Sequence, residues 1–101
     1  MQIQVHAHND AVFEQVGQLL GFYLSGLEGE AGRIDIVTDS SLDRLGAHLY
    51  RCHVCIRSGY GWQSEIEETQ PDLALAITRA LDRSSRTIRR RLRLRRHACC
   101  A

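Results

Sequence analysis

PDLALAITRALDRSSRTIRRRLRLRR, residues 71–96, carries two patterns on one segment. Leu73, Ile77, Ala80, Leu81, Ser84 and Ile88 recur at helical spacing and make a single apolar stripe. A helix turns about 100° per residue, so with Arg79 taken as zero, Arg83, Arg86, Arg90 and Arg93 fall within roughly 40° of it. The apolar set is centred about 150° away, so the core side and the basic side point in nearly opposite directions. From Arg79 to Arg93 the basic stripe is about 21 Å long, enough to reach several phosphates. Pro71 suits a first-turn position, with Thr69 or Gln70 as the cap before it. Beyond Ile88 the pattern changes, because Arg91 and Arg95 return to the apolar side. This predicts that the helix leaves the sheet there as a wholly basic extension. Residues 1–92 are read as the folded domain and residues 93–101 as a basic, cysteine-containing, disordered tail.

Working back from that helix, the chain alternates. Ile3 and Val5 oppose Gln2, Gln4 and His6 in a first strand. Asn9 or Asp10 can cap a helix over residues 10–24, whose apolar positions are Val12, Phe13, Val16, Leu19, Leu20, Tyr23 and Leu24. Gly26, Gly29 and Gly32 close it. A second strand is expected over residues 33–38, and the polar run 39–46 reads as a loop. Tyr50, Cys52, Val54 and Ile56 face one way from residues 48–57, and Arg51, His53, Cys55 and Arg57 the other. After a turn at 58–61, Trp62, Ser64 and Ile66 alternate with Gln63, Glu65 and Glu67. The expected fold is α+β, in the order β-α-β-β-β-α, with a four-stranded sheet and both helices on one face.

Charge divides the chain sharply. Residues 79–96 hold nine arginines against one acid, Asp82, a net +8, whereas the preceding residues hold four arginines against eleven acids, a net −7. The overall +1 conceals this asymmetry, which points to a polyanionic partner. A solvated helix face normally mixes acids with its bases at i,i+4 spacing, and here only Asp82 is present. Arginine forks grip phosphate oxygens bidentately and stack on unpaired bases, which favours RNA. The candidate RNA-binding residues are Arg79, Arg83, Arg86, Arg89, Arg90 and Arg93. That all thirteen Lys/Arg positions are arginine is what a G+C-rich genome yields without functional pressure.

At 101 residues and 44% hydrophobic content the chain reads as one ordinary globular domain. No run approaches the roughly 20 apolar residues of a membrane span, and MQIQVHAHND lacks the form of a secretory signal. A cytoplasmic location is expected, with the four cysteines as free thiols. Cys52 and Cys55 have C-x-x-C spacing, but residues three apart on a strand point to opposite faces, so Cys52 reads as core. His6, His8 and His53 could share a face and bind metal adventitiously; no built metal site and no cofactor are expected. His97, Cys99 and Cys100 could bind soft metal or pair between molecules. Trp62 reads as core and Tyr60 as the aromatic placed to touch a base. No catalytic triad, phosphate-cradling loop or carboxylate pair can be assembled, so the chain is not read as an enzyme.

Asp72, Ala76-Ile77, Asp82-Arg83, Arg86, Ile88 and Arg90, together with the opening MQIQVHAHN and the strand succession, resemble the hibernation-promoting factor family. These are short ribosome-associated inhibitors, also called sigma-54 modulation proteins, and the resemblance covers roughly residues 1–92, as a divergent member. It implies a β-α-β-β-β-α fold that binds small-subunit rRNA in the channel used by mRNA and tRNA and silences ribosomes in stationary phase or stress. Arg83, Arg86 and Arg90 sit where the family is basic, and Arg79 is not fixed by its pattern. Two features depart from it: residues 10–24 carry no basic side chain, and Leu73-Ala74 and Thr78 replace the usual aromatic and acid. The rival expectations are a generic structured-RNA-binding module and self-association of the acidic body with the basic helix; metal or redox sensing ranks below them.

Overall fold

The computed structural model describes residues 2–7, 10–27 and 29–99, with side chains as far as Arg96. Its elements are β1 Gln2–His6, α1 Asp10–Tyr23, β2 Ala31–Leu42, β3 His48–Ser58, β4 Gln63–Gln70 and α2 Leu73–Cys99. The sheet order is β1-β2-β3-β4, with β1 parallel to β2 and the remaining pairs antiparallel. The order and layering are those expected from the alternation and the two helical stripes.

Alternation decides which side of the sheet is covered. Ile34, Ile36, Cys52, Val54, Ile56 and Ile66 are buried beneath the helices, while their neighbours Arg33, Asp35, His53 and Cys55 lie on the open face. From above, α1 contributes Val12, Val16 and Leu20, and α2 contributes Ala76, Ile77, Ala80, Leu81 and Ile88. Cys52 and Cys55 therefore do point apart. Ser84, on the buried side of α2, donates its hydroxyl to Ala80 O at 2.7 Å, which satisfies it within the helix.

Boundaries differ from expectation at both ends of β2, which begins at Ala31 and so takes in Gly32, and at both ends of β4, which begins after Trp62; the two larger differences have identifiable reasons. The run 39–46 is only partly a loop: β2 continues to Leu42, with Asp39 opposite Arg51 and Leu42 opposite His48. Polar composition concealed this stretch because the long β2–β3 hairpin projects where it has little core to cover. Its pairing is held by the ladder and by the Arg51–Asp39 ion pair. The true turn is Asp43–Ala47, where Asp43 Oδ1 accepts from Leu45 N at 2.8 Å and Ala47 N at 2.9 Å, and Gly46 takes φ 80°. Similarly, β4 runs to Gln70, since β3 offers a ladder as far as Tyr50. Thr69 and Gln70 are thus strand, and the cap of α2 is Asp72, whose Oδ1 accepts from Ala74 N at 3.0 Å. Pro71 precedes the cap instead of occupying the first turn. Asn9, the alternative cap of α1, lies outside the described residues.

At the other end of β2, Gly32 lies at a register shift between Ala31 and Arg33. A Cβ there would stand 3.0 Å from Gly59 N and 3.1 Å from Arg57 O, so a side chain would require the facing backbone to shift by a few tenths of an ångström.

Candidate nucleic-acid interface

The opposed stripes of α2 place its arginines outward. Arg79, Arg83, Arg86, Arg89, Arg90 and Arg93 are all exposed, whereas Ile77, Ala80, Leu81 and Ile88 are fully buried. The six candidate residues share one side of the molecule but not one electrostatic condition.

Near the start of the stripe the arginines meet acids. Arg83 Nη1 donates to Glu68 Oε1 at 2.7 Å and to Glu67 O at 3.0 Å, so the side chain lies along the β4 edge. Burial of the Glu68 carboxyl opposes its ionisation, but the Arg83 hydrogen bond, helped by Gln70 and the charges of Arg83 and Arg79, is larger and holds its pKa below the usual carboxylate range. Arg86 pairs with Asp82 at 3.0 Å one turn away, yet its side chain is 77% exposed, so the pair is weak and the guanidinium accessible. Further along, Arg89, Arg90 and Arg93 have no hydrogen bond or ion pair with the described residues. Arg86, Thr87, Arg90 and Arg93 line one shallow groove with Arg89, and Arg89, Leu92, Arg93 and Arg96 line the next. Arg96, absent from the candidate set, belongs beside Arg89 on this surface; their spacing of seven residues, two helical turns, was the available signal.

Arg91 and Arg95 do return to the apolar side, but not as part of a helix that has left the sheet. The helix does not part from the body at Ile88: Leu92 packs against the core, and α2 continues unbroken to Cys99. Arg91 lies 5.6 Å over the Trp62 ring, and Arg95 lies 4.0 Å over the Tyr60 ring. Arg95 Nε also donates to Glu30 Oε2 at 2.8 Å, and Trp62 Nε1 donates to Glu30 Oε1 at 2.9 Å. The Glu30 side chain is 1% exposed. Desolvation raises its pKa, but the hydrogen bonds from Trp62 and Arg95 and the Arg95 charge together outweigh that and leave it lowered. Arg91 and Arg95 return to the apolar side because two aromatics and a buried carboxylate are waiting there. Tyr60, expected to offer its ring to a base, offers a face to Arg95.

Elsewhere the charges are matched or sparse. On the open face of the sheet Arg33 pairs with Asp35 at 3.0 Å, and Arg51 with Asp39. α1 presents Asp10 and Glu14 and no base. His6 aligns with Val37, and Val37 with His53, so the two histidines do share a face but stand two strands apart. Among the described residues no group of three or more His, Cys, Asp or Glu could hold a metal ion. His8 and the His97–Cys100 segment proposed as ligands lie outside the residues whose side chains are described. No described helix is long and apolar enough to cross a membrane.

Solved structures share this architecture. The N-terminal domain of Protein Y from Thermus thermophilus matches 89% of this chain and 98% of its own, with TM-score 0.65 and 24% identity. A ribosomal subunit interface protein from Coxiella burnetii matches 89% of this chain and 96% of its own, with TM-score 0.69 and 13% identity. The likeness is one of fold. No protein-family model and no curated protein sequence matches the chain.

Proposed function

We propose that the protein is a ribosome-binding translation inhibitor of the hibernation type, docking on small-subunit rRNA through the arginine face of α2. The observation that carries this reading is the row Arg89, Arg90 and Arg93: exposed, adjacent, and without an acid among the described residues. Such a row concentrates phosphate and releases counterions when it binds. Arg79, Arg83 and Arg86 extend the footprint toward β4, Arg83 after surrendering Glu68. The fold shared with a protein named for the ribosomal subunit interface supports the choice of partner. In this reading the protein acts in the cytoplasm, without a cofactor and without catalysis, as a plug held by charge and shape.

Co-sedimentation with ribosomes through a sucrose gradient, at low and near-physiological salt, tests it. The expected result is migration with the small subunit or whole ribosomes, resisting competition by an arbitrary duplex RNA. Affinity should fall with a log–log salt slope of about 0.7 to 0.9 per phosphate contacted. Protein left at the top of the gradient at both salts defeats the reading, and full displacement by duplex RNA reduces it to a general structured-RNA binder.

A further inference from the structure

Glu30 is the one acid among the described residues that the fold buries. A carboxylate withdrawn from water persists only where its hydrogen bonds and charge are answered. Glu30 is answered from two distant places, Trp62 just before β4 and Arg95 on α2, the latter 65 residues away in sequence. Arg95 stands two turns beyond Ile88, the last fully buried residue of α2. Leu92 is half-buried and Leu94 is 58% exposed, so apolar packing fades over the very turns that carry Arg89, Arg90, Arg93 and Arg96.

Those turns are also self-repelling. Arg86 with Arg90 and Arg89 with Arg93 are like charges at i,i+4 spacing, which disfavours the helix. The negative end of the helix dipole offsets part of this. Besides the half-buried Leu92, the segment is restrained by the ring contacts of Arg91 and Arg95 and by the Glu30–Arg95 pair.

We infer that Glu30 is a positioning residue for RNA recognition: by holding Arg95, it keeps the last turns of α2 helical and aimed, so that Arg89, Arg90, Arg93 and Arg96 meet phosphates as one pre-formed row. The inference rests on the proposed docking of this face on rRNA. Preforming the row removes the ordering cost that a frayed helix would meet on binding.

The sign of one substitution separates this from a purely electrostatic account. Glu30→Gln raises the net charge from +1 to +2 and, by charge alone, strengthens binding to any polyanion. Positioning requires the reverse. The experiment compares parent and Glu30→Gln full-length protein by hydrogen exchange in the free state and by binding to isolated small ribosomal subunits over a range of salt. In the variant, amides 89–96 should exchange roughly tenfold faster while those of β2 and β3 keep their protection. Affinity should fall roughly tenfold with the salt slope retained, because the same arginines reach phosphates once bound. Unchanged exchange over 89–96, or affinity equal to or above the parent's, overturns the inference. If Glu30→Gln loses protection in β2 and β3, Tyr60→Ala decides, since it removes the ring beneath Arg95 at an exposed turn. It should shift both readouts the same way by a smaller factor, and no shift overturns the inference. Failure of the parent to bind subunits overturns the docking reading along with this one; a binding parent with unaltered exchange in the variants defeats the positioning role alone.

Discussion

Between Leu73 and Ile88, α2 lies on β3 and β4, buries Ala76, Ile77, Ala80, Leu81 and Ile88, and gives Arg83 and Arg86 the acids Glu68 and Asp82. Between Arg89 and Arg96 it buries little, leaves Arg89, Arg90 and Arg93 without acids, and is tied down by Arg91 and Arg95. The same residue type, on one continuous helix, thus serves three ends. Arg83 beside Glu68 fastens the helix to the sheet edge, arginine over aromatic fastens its far turns, and arginine facing only water is what the proposed function offers to a partner. Net charge alone cannot tell these apart; neighbours can.

If the first half holds the structure and the second half holds the partner, a core lesion should separate them most strongly. Leu81→Ala, at a fully buried site, should cost about 2–5 kcal/mol in urea denaturation, whereas Leu94→Ala should stay within about 0.5 kcal/mol. Equal losses would mean that the outer turns belong to the core after all. Charge reversal probes the same division from the other side. The double variant Arg89→Glu/Arg90→Glu should lower ribosome affinity about a hundredfold and flatten the salt slope by about 1.4 to 1.8, with an unchanged circular dichroism spectrum. Arg83→Glu should instead show chiefly in stability, by roughly 1 kcal/mol after allowing for the half-exposed guanidinium, because it sets two carboxylates against each other at the β4 edge. Retained binding in the double variant would move the interface elsewhere.

Acid should erode both fastenings with the same sign and a smaller effect. Glu30 and Glu68 have folded pKa values below the ordinary 4.5, so the unfolded chain takes up their protons first. Their contribution to stability is complete above about pH 4.5 and is lost as pH falls from there through the folded values. Denaturation midpoints compared at pH 7, 5, 4 and 3 should be level to pH 5 and decline below it. In Glu30→Gln the decline should be shallower, and an identical decline would show that the Glu30 carboxylate does not contribute.

The sequence was most legible where one face is wet and the other dry. Alternation from Tyr50 to Arg57 placed Cys52, Val54 and Ile56 under the helices, and the stripe Ile77, Ala80, Leu81, Ser84 and Ile88 placed α2 upon them. The division of α2 into opposed faces was legible for the same reason. Asp39–Leu42 was not, because a strand that covers no core has no apolar beat to announce it. Within the candidate site, angle on the helix identified the exposed arginines but not their partners. Arg91 and Arg95 carried the same symbol as Arg90 and Arg93, and Glu30 was one acid among twelve. Their roles depend on contacts across 32 and 65 residues of chain, which local periodicity does not contain.

The parallel pairing of β1 with β2 makes this strand the one joined to the sheet by the longest connection. β2, β3 and β4 meet through short turns and α2 follows at once, so this three-stranded unit closes with local loops. β1 must find its place with Gln2 opposite Arg33, across the whole of α1 and its connector. Closing the longer loop costs more entropy, and β1 repays it with only five residues, most of them still exposed. The first strand of the chain therefore has the least apolar burial to hold it in the sheet, and it should be the first to lose protection in native-state hydrogen exchange. The sheet carries it at the edge remote from β4, and so far from the strand along which Arg83 lies.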